Sequence, residues 1–184
     1  MIYFTSDLHL NNNNVIRYCN RPYQDAQEMN RALIDNWNSV VKPEDTVYVL
    51  GDFIMGQADT VSSLVKQLNG IIVLIRGNHD SDWKIEQYKR LGIEIHLIFY
   101  LTYKGKYFIL CHFPIQNPQY WQLITKNNQE AVFLYGHIHD NAPTGYQGDQ
   151  MYHVGVDTNN YTPISIEQIW QEIQNYERTN LPVG

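Results

Sequence analysis

Five apolar runs of this chain each end at residues able to bind hard or borderline metal ions. The run 2–6 leads to Asp7 and His9, 46–50 to Gly51 and Asp52, and 71–75 to Asn78, His79 and Asp80. The run 107–111 leads to His112, and 131–135 to His137 and His139. Five of the seven histidines fall in these exits, leaving only His96 and His153 elsewhere. A rigid sheet whose strand ends carry the functional loops produces such a distribution, and scatter does not.

Taken singly the pieces differ in weight. Asp7-x-His9 and Gly51-Asp52 are also ordinary turn chemistry, and His112 before Phe113-Pro114 reads by itself as a hydrogen-bonded histidine at a strand end. Asn78-His79 asks for more, because a turn does not need both residue types. Gly136-His137-Ile138-His139 is the most specific, since H-x-H in extended backbone directs both imidazoles to one face. Together they supply two Asp, one Asn and four or five His, about the ligand count of two divalent ions once water fills the remaining positions. Four cationic charges against two carboxylates would attract a phosphate. The chemistry implied is dimetal hydrolysis.

The elements that must position these residues follow from periodicity. Strand-like runs at 2–6, 46–50, 71–75, 93–103, 107–111, 131–135 and 152–156 alternate with helical patterns. Asp25 opens a helix in which Met29, Leu33, Trp37 and Val40 recur at helical spacing and Glu28 completes a capping-box pattern. Asp59 precedes a second helix stopping at Asn69-Gly70, Ser81 a third stopping at Gly92, and Ser165 a last one to about Glu177, with Ile166, Ile169, Trp170 and Ile173 on one side. Lys104-Gly105 marks a hairpin, so the middle of the sheet system is antiparallel where the first half reads strand-helix-strand. The segments 11–14 and 141–150 read as loops.

At 184 residues and 43% hydrophobic, the chain supplies one domain, 1–184, with a sizeable core. Thirteen Lys and Arg against 19 Asp and Glu, net charge −6, with no basic cluster, argue against an extended nucleic-acid surface. With no signal-like start and no apolar stretch of about 18 residues, a soluble, cytoplasmic protein without membrane contact is expected. Cys19 and Cys111 read as two reduced thiols. The apolar run "HLIFYLTY" at 96–103 either lies inside a sheet or pairs with another subunit, and the oligomeric state stays open.

In order, "SDLH", "LGD", "RGNHD", "CHFP" and "GHIH" resemble the five signature blocks of the calcineurin-like metallophosphoesterases over residues 6–139. "HVGVDTNNYTPISIEQI" at 153–169 resembles the closing segment of their small bacterial and phage-encoded members. The resemblance implies an α/β (α+β) fold, a four-layer αββα sandwich of two mixed sheets flanked by helices, with metals at one end of the strands. Carried over by position, Asp7, His9 and His139 would bind one metal, Asn78, His112 and His137 a second, and Asp52 would bridge them. His79 matches the general acid or transition-state stabiliser, so Asp52, Asn78 and His79 form the catalytic set. The activity implied is hydrolysis of a small phosphate ester, possibly a nucleotide, by a metal-bridging hydroxide.

Phosphodiesters are favoured because the inserts 11–24 and 113–130 are short. A phosphomonoesterase, a nucleotide polyphosphate hydrolase and a metal-binding adaptor without turnover are the alternatives. The ligand set suits two divalent ions among Mn, Fe, Ni, Co and Zn, with Mn favoured. Arg17 and Arg21 are candidate phosphate contacts or else solvated helix arginines, and Tyr23, Tyr120 and Trp121 candidate stacking residues or else core. Asp80 either orients His79 or Arg76 or adds polarity before the helix after Ser81; Arg76 is a second supporting candidate or only structural. Small relatives commonly continue "DLHF" with Gly-His, whereas here Leu10 is followed by Asn11 to Asn14. A loop histidine is thus missing, which bears on substrate contacts and leaves the ligands intact.

Overall fold

In the computed structural model, which describes residues 1–115 and 131–180, the β-rich runs of the first half become neighbouring parallel strands. β1 (Ile2–Thr5), β2 (Thr46–Val49), β3 (Ile71–Ile75) and β4 (Glu94–His96) lie in the order β4-β3-β2-β1, and β9 (Ile164–Ser165) pairs antiparallel on the outer side of β1. β5 (Ile98–Tyr103), β6 (Lys106–Cys111), β7 (Val132–Tyr135) and β8 (Met151–His153) form the second sheet, in which β5–β6 is antiparallel and the other pairs parallel. The helices are α1 (Asn13–Tyr18), α2 (Ala26–Val40), α3 (Ala58–Val65), α4 (Asp82–Arg90) and α5 (Ile166–Asn180). Two mixed sheets flanked by helices are the expected α/β architecture.

Local chemistry accounts for most boundaries. Asp25 caps α2 by accepting from the N–H groups of Gln27 and Glu28 at 2.9 and 2.8 Å. Ser165 and Gln168 exchange bonds across the start of α5, a capping box with Gln in the acidic position. The hairpin turns where expected: Tyr103 faces Lys106, and Lys104 and Gly105 both have positive φ, 48° and 82°, as a two-residue turn needs. α3 starts after Gln57, so Asp59 lies inside its first turn. The segment 11–14 is not a plain loop, because Asn12 caps α1 through Asn14 N–H.

The run 93–103 departs most from the sequence reading. It breaks at Leu97, which is 71% exposed, and its halves join different sheets: His96 pairs with Ile75 and Ile98 with Cys111. A continuous apolar run carries no mark of a change of partner. β5 therefore ends a sheet and does not lie inside one: among the described residues it pairs only with β6, and Ile98, Tyr100 and Thr102 point outward.

Alternation sorts the core into layers. Val47 and Val49 of β2 face α2 and α4 among Met29, Leu33, Trp37 and Tyr88. Phe4, Val73 and Ile75 of the first sheet meet Phe108, Leu110, Val132 and Leu134 of the second, and Ile166, Ile169 and Ile173 of α5 close that layer. Phe133 and Tyr135 fall on the opposite face of β7. Both cysteines are free, and no helix among the described residues is long and apolar enough to cross a membrane. Trp37 is fully buried against Phe53, with Nε1 donating to Asn69 O at 2.9 Å. Trp37→Ala is expected to lower the unfolding free energy by about 3–5 kcal/mol in urea titration.

Candidate metal centre

β1, β2, β3, β6 and β7 all point their C-terminal ends at one place, and the loops that follow lock together. The chain beyond β1 runs alongside the chain beyond β2: Asp7 N–H donates to Gly51 O at 3.1 Å, His9 N–H to Asp52 O at 2.9 Å and Leu10 N–H to Phe53 O at 3.0 Å. The loops after β2 and β3 touch backbone to backbone. A Cβ on Gly77 would sit 2.4 Å from Asp52 Oδ1, and one on Gly51 would sit 2.6 Å from Gly77 Cα, so both positions require glycine.

Five of the seven proposed ligands have left-handed backbones: Asp7 (φ 57°), His9 (46°), Asp52 (54°), His137 (75°) and His139 (50°). Such conformations cost about 1–3 kcal/mol each and persist only where surrounding structure imposes them. They also correct the reading of H-x-H. His137 and His139 do not share the face of an extended strand; they turn apart into two groups.

The first group is Asp7, His9 and His139, the second Asp52, His112 and His137, each with ligand atoms within 4.8 Å of one another. The rings of His9 and His139 stack at 5.3 Å, and those of His112 and His137 meet edge-on at 5.0 Å. Asp52 stands between the groups, its Oδ2 3.5 Å from His9 Nε2 and 3.6 Å from His112 Nε2. Asn78 joins the second group through Oδ1, 2.8 Å from His112 Nε2.

The polar atoms fit a cation better than they fit each other. His112 Nδ1 lies 2.8 Å from Leu50 O and must donate to it, which leaves Nε2 a lone pair facing two further acceptors, Asn78 Oδ1 and Asp52 Oδ2. His139 is turned the same way by Asp157 Oδ2, 2.8 Å from its Nδ1. Asp7 Oδ1 and His9 Nδ1 are buried without a hydrogen-bond partner among the described residues, a loss of about 1–3 kcal/mol each. Burial pushes Asp7 above the usual carboxylate range, with His139 and His112 opposing it. Burial, then His139 and Arg21, holds His9 down at about 2, and burial with His112 lowers His137. Burial also works against charge on His139 and Asp157, yet their mutual bond prevails, aided by Arg21 at Asp157, and sets them at about 10 and about 2.

His79 lies at the exposed rim of the ligands, its Nε2 4.0 Å from Asp52 Oδ2. Its N–H donates to Asp52 Oδ1 at 2.8 Å, its side chain is 52% exposed, and its ring lies 5.2 Å from that of His9. The remaining candidates differ from expectation. Arg21 is buried, with its guanidinium on Asp157 and on the carbonyls of Asp7 and Leu8, so it is neither a solvated arginine nor open to a phosphate. Arg17 is exposed on α1. Asp80 neither contacts the His79 imidazole nor caps α4. Its carboxylate accepts from the N–H groups of Asp52, Gly77 and Phe53 at 2.9, 2.9 and 3.3 Å, and Arg76 Nε donates to its carbonyl at 2.9 Å while pairing with Asp82.

Tyr23 packs against Tyr161, and Tyr120 and Trp121 lie outside the described residues. The side chain of Asn11 donates to Met55 O, and those of Asn12 and Asn13 accept from the N–H groups of Asn14 and Ala26. His96 lies beside Glu94, and His153 Nδ1 beside Thr158 Oγ1; burial lowers the His153 pKa to about 4, with Asp157 opposing the shift and His139 adding to it.

Two residues that support the site escaped the sequence reading. Lys84 is buried on the inner side of α4, one turn before Tyr88, and donates to His79 O at 2.8 Å. Its polar position in an apolar stripe was the available signal. Asp157 carried none beyond its place after β8. Cys19 also approaches His139 and Asp157, but Nδ1 and the carboxylate are already engaged with each other and with Arg21.

Comparison with known proteins shows the family and the fold. The family model of the calcineurin-like phosphoesterase superfamily domain matches residues 1–154, and the chain belongs to that superfamily. An uncharacterized protein of Methanocaldococcus jannaschii is 37% identical over 179 residues, covering 94% of this chain and 91% of that one. The crystal structure of the protein of unknown function AQ665 from Aquifex aeolicus superposes with a TM-score of 0.75 at 26% identity, covering 93% of this chain and 98% of that one. A structure described as a novel archaeal phosphodiesterase shares the fold, with a TM-score of 0.52 at 19% identity over 84% of this chain and 81% of its own.

Asp80→Asn turns an accepting oxygen into a donor facing backbone N–H groups. It is expected to destabilise the protein by about 1–3 kcal/mol in thermal unfolding and to weaken metal retention, whereas Asp82→Asn, at a side chain 91% exposed, should change stability by less than about 0.5 kcal/mol.

Proposed function

We propose that this chain is a dimetal phosphodiesterase acting on small phosphate diesters. The observation that carries the reading is the position of Asp52, one carboxylate oxygen of which faces both ligand groups at 3.5 and 3.6 Å. Asp7, His9 and His139 would hold one divalent ion, Asn78, His112 and His137 the other, and Asp52 both. Bound there, the ions would polarise the phosphoryl oxygens and lower the pKa of a water molecule. The mix of carboxylate, amide oxygen and imidazole donors suits Mn, and also Fe, Co, Ni or Zn.

His79 is the proton donor to the departing oxygen in this reading. Asp52 holds its N–H and Lys84 its carbonyl, so the main chain is fixed on both sides while the imidazole stands at the solvent-facing rim. Charge favours a diester monoanion over a monoester dianion. Of the cations near the ligands, Arg21 is buried on Asp157 and the Asp7 and Leu8 carbonyls and Lys84 is bound to His79 O, so neither is offered to a second phosphate charge. Phe113, 47% exposed and 4.9 Å from the rings of both His112 and His137, offers a flat apolar surface to an aryl or nucleoside leaving group.

The test is hydrolysis of bis-p-nitrophenyl phosphate and p-nitrophenyl phosphate by Mn-loaded and chelator-treated protein. Turnover should require metal and favour the diester. His79→Ala should keep both ions by elemental analysis and lose about 10²–10⁴ in kcat. Preference for the monoester would overturn the substrate class, and two bound ions without turnover of either ester would overturn the enzyme.

A further inference from the structure

Arg21 uses every donor it has inside the protein. Nε and Nη2 grip Asp157 at 2.7 and 2.9 Å, Nη2 also reaches Asp7 O at 2.7 Å, and Nη1 reaches Leu8 O at 2.9 Å and Met29 Sδ at 3.4 Å. The side chains of Arg21 and Asp157 are 0% and 2% exposed. Asp157 passes the grip on, its Oδ2 lying 2.8 Å from His139 Nδ1.

These contacts are confined to one side of the centre. The Asp7 carbonyl belongs to one residue of the first group, and the Leu8 carbonyl lies in the peptide that leads to His9, in a turn where Asp7 and His9 both have positive φ. His139, the third member, is reached through Asp157. No hydrogen bond from Arg21 goes to Asp52, Asn78, His112 or His137 among the described residues; the second group is instead set by Leu50 O behind His112 and by Asp80 behind Asp52.

We propose that Arg21 and Asp157 form a positioning clamp that assembles the three ligands belonging to the first metal site alone, Asp7, His9 and His139, and none of those belonging to the second. The proposal rests on the dinuclear reading above. The guanidinium would fix the turn carrying Asp7 and His9 against the His139 ring, and Asp157 would hold Nδ1–H of that ring so that Nε2 faces the ion. Asp157 also neutralises the guanidinium, so a buried cation can stand close to a metal site without repelling the ion.

The experiment compares wild type, Arg21→Lys and Asp157→Asn after loading with Mn and dialysis. Ion content is read by elemental analysis, affinity by calorimetry, and the metal environment by electron paramagnetic resonance. Wild type should hold two ions with an exchange-coupled spectrum. Each variant should hold one, with a mononuclear spectrum, and with affinity for the other lowered by about 10–100-fold. Two ions at wild-type affinity in both variants, or equal weakening of both ions, would overturn the clamp. If Arg21→Lys does not fold, the isosteric Asp157→Asn decides the matter alone. A wild type that holds a single ion would overturn the dinuclear reading on which the clamp rests, whereas two ions in wild type and in both variants would overturn the clamp alone.

Discussion

The constraint on which the structure depends is the gathering of electron-pair donors in one buried place with too few protons between them. Asp52 Oδ2 faces His9 Nε2 and His112 Nε2, Asn78 Oδ1 faces His112 Nε2, and Asp7 Oδ1 and His9 Nδ1 are buried without a hydrogen-bond partner among the described residues. Left alone, such atoms repel and lose their hydration. They hold their positions because the backbone gives them no alternative. Asp7, His9, Asp52, His137 and His139 are all held in left-handed conformations, and the loops after β2 and β3 meet so closely at Gly51 and Gly77 that no side chain fits between them.

The two sheets create the place and a layer of buried polar groups maintains it. Parallel strands end together, so the loops after β1, β2 and β3 emerge side by side, and β6 and β7 bring theirs from the facing sheet. Behind the ligands, Asp80 gathers three backbone N–H groups and Leu50 O fixes the tautomer of His112. Arg21 and Lys84 are cations in the same layer, neither open to substrate. Burial lowers the Lys84 pKa while Asp80 and Asp52 oppose the shift, so its charge answers the carboxylates of the site. A chain of net charge −6 thus places its buried cations where they brace the centre.

The elements legible in the sequence are those whose cause is local. Asp25 and Ser165 cap their helices because a side-chain oxygen next to unpaired N–H groups acts over three residues. Lys104-Gly105 turns because two positive φ angles can be met there at low cost. The break at Leu97 was not legible, because the halves of one apolar run differ only in which distant strand they meet. Asp80, Arg21 and Asp157 show the same limit. Asp80 reads from the sequence as a neighbour of His79 or Arg76, Arg21 as a phosphate contact, and Asp157 carries no mark. Their roles follow only when the partner, 28 residues away for Asp80 and Asp52 and 136 for Arg21 and Asp157, is brought against them.

By itself the sequence determined the family and the inventory of ligand types, because residues able to bind metal recur at strand exits in a fixed order that few other chemistries would require. The resemblance already implied two groups of ligands sharing Asp52; only the tertiary structure set the distances of 3.5 and 3.6 Å from Asp52 to His9 and His112 and turned Arg21 from a candidate substrate contact into an internal brace. The physical reason is that residue type limits what an atom can bind, while distance and orientation, set by contacts across the whole chain, settle what it does bind.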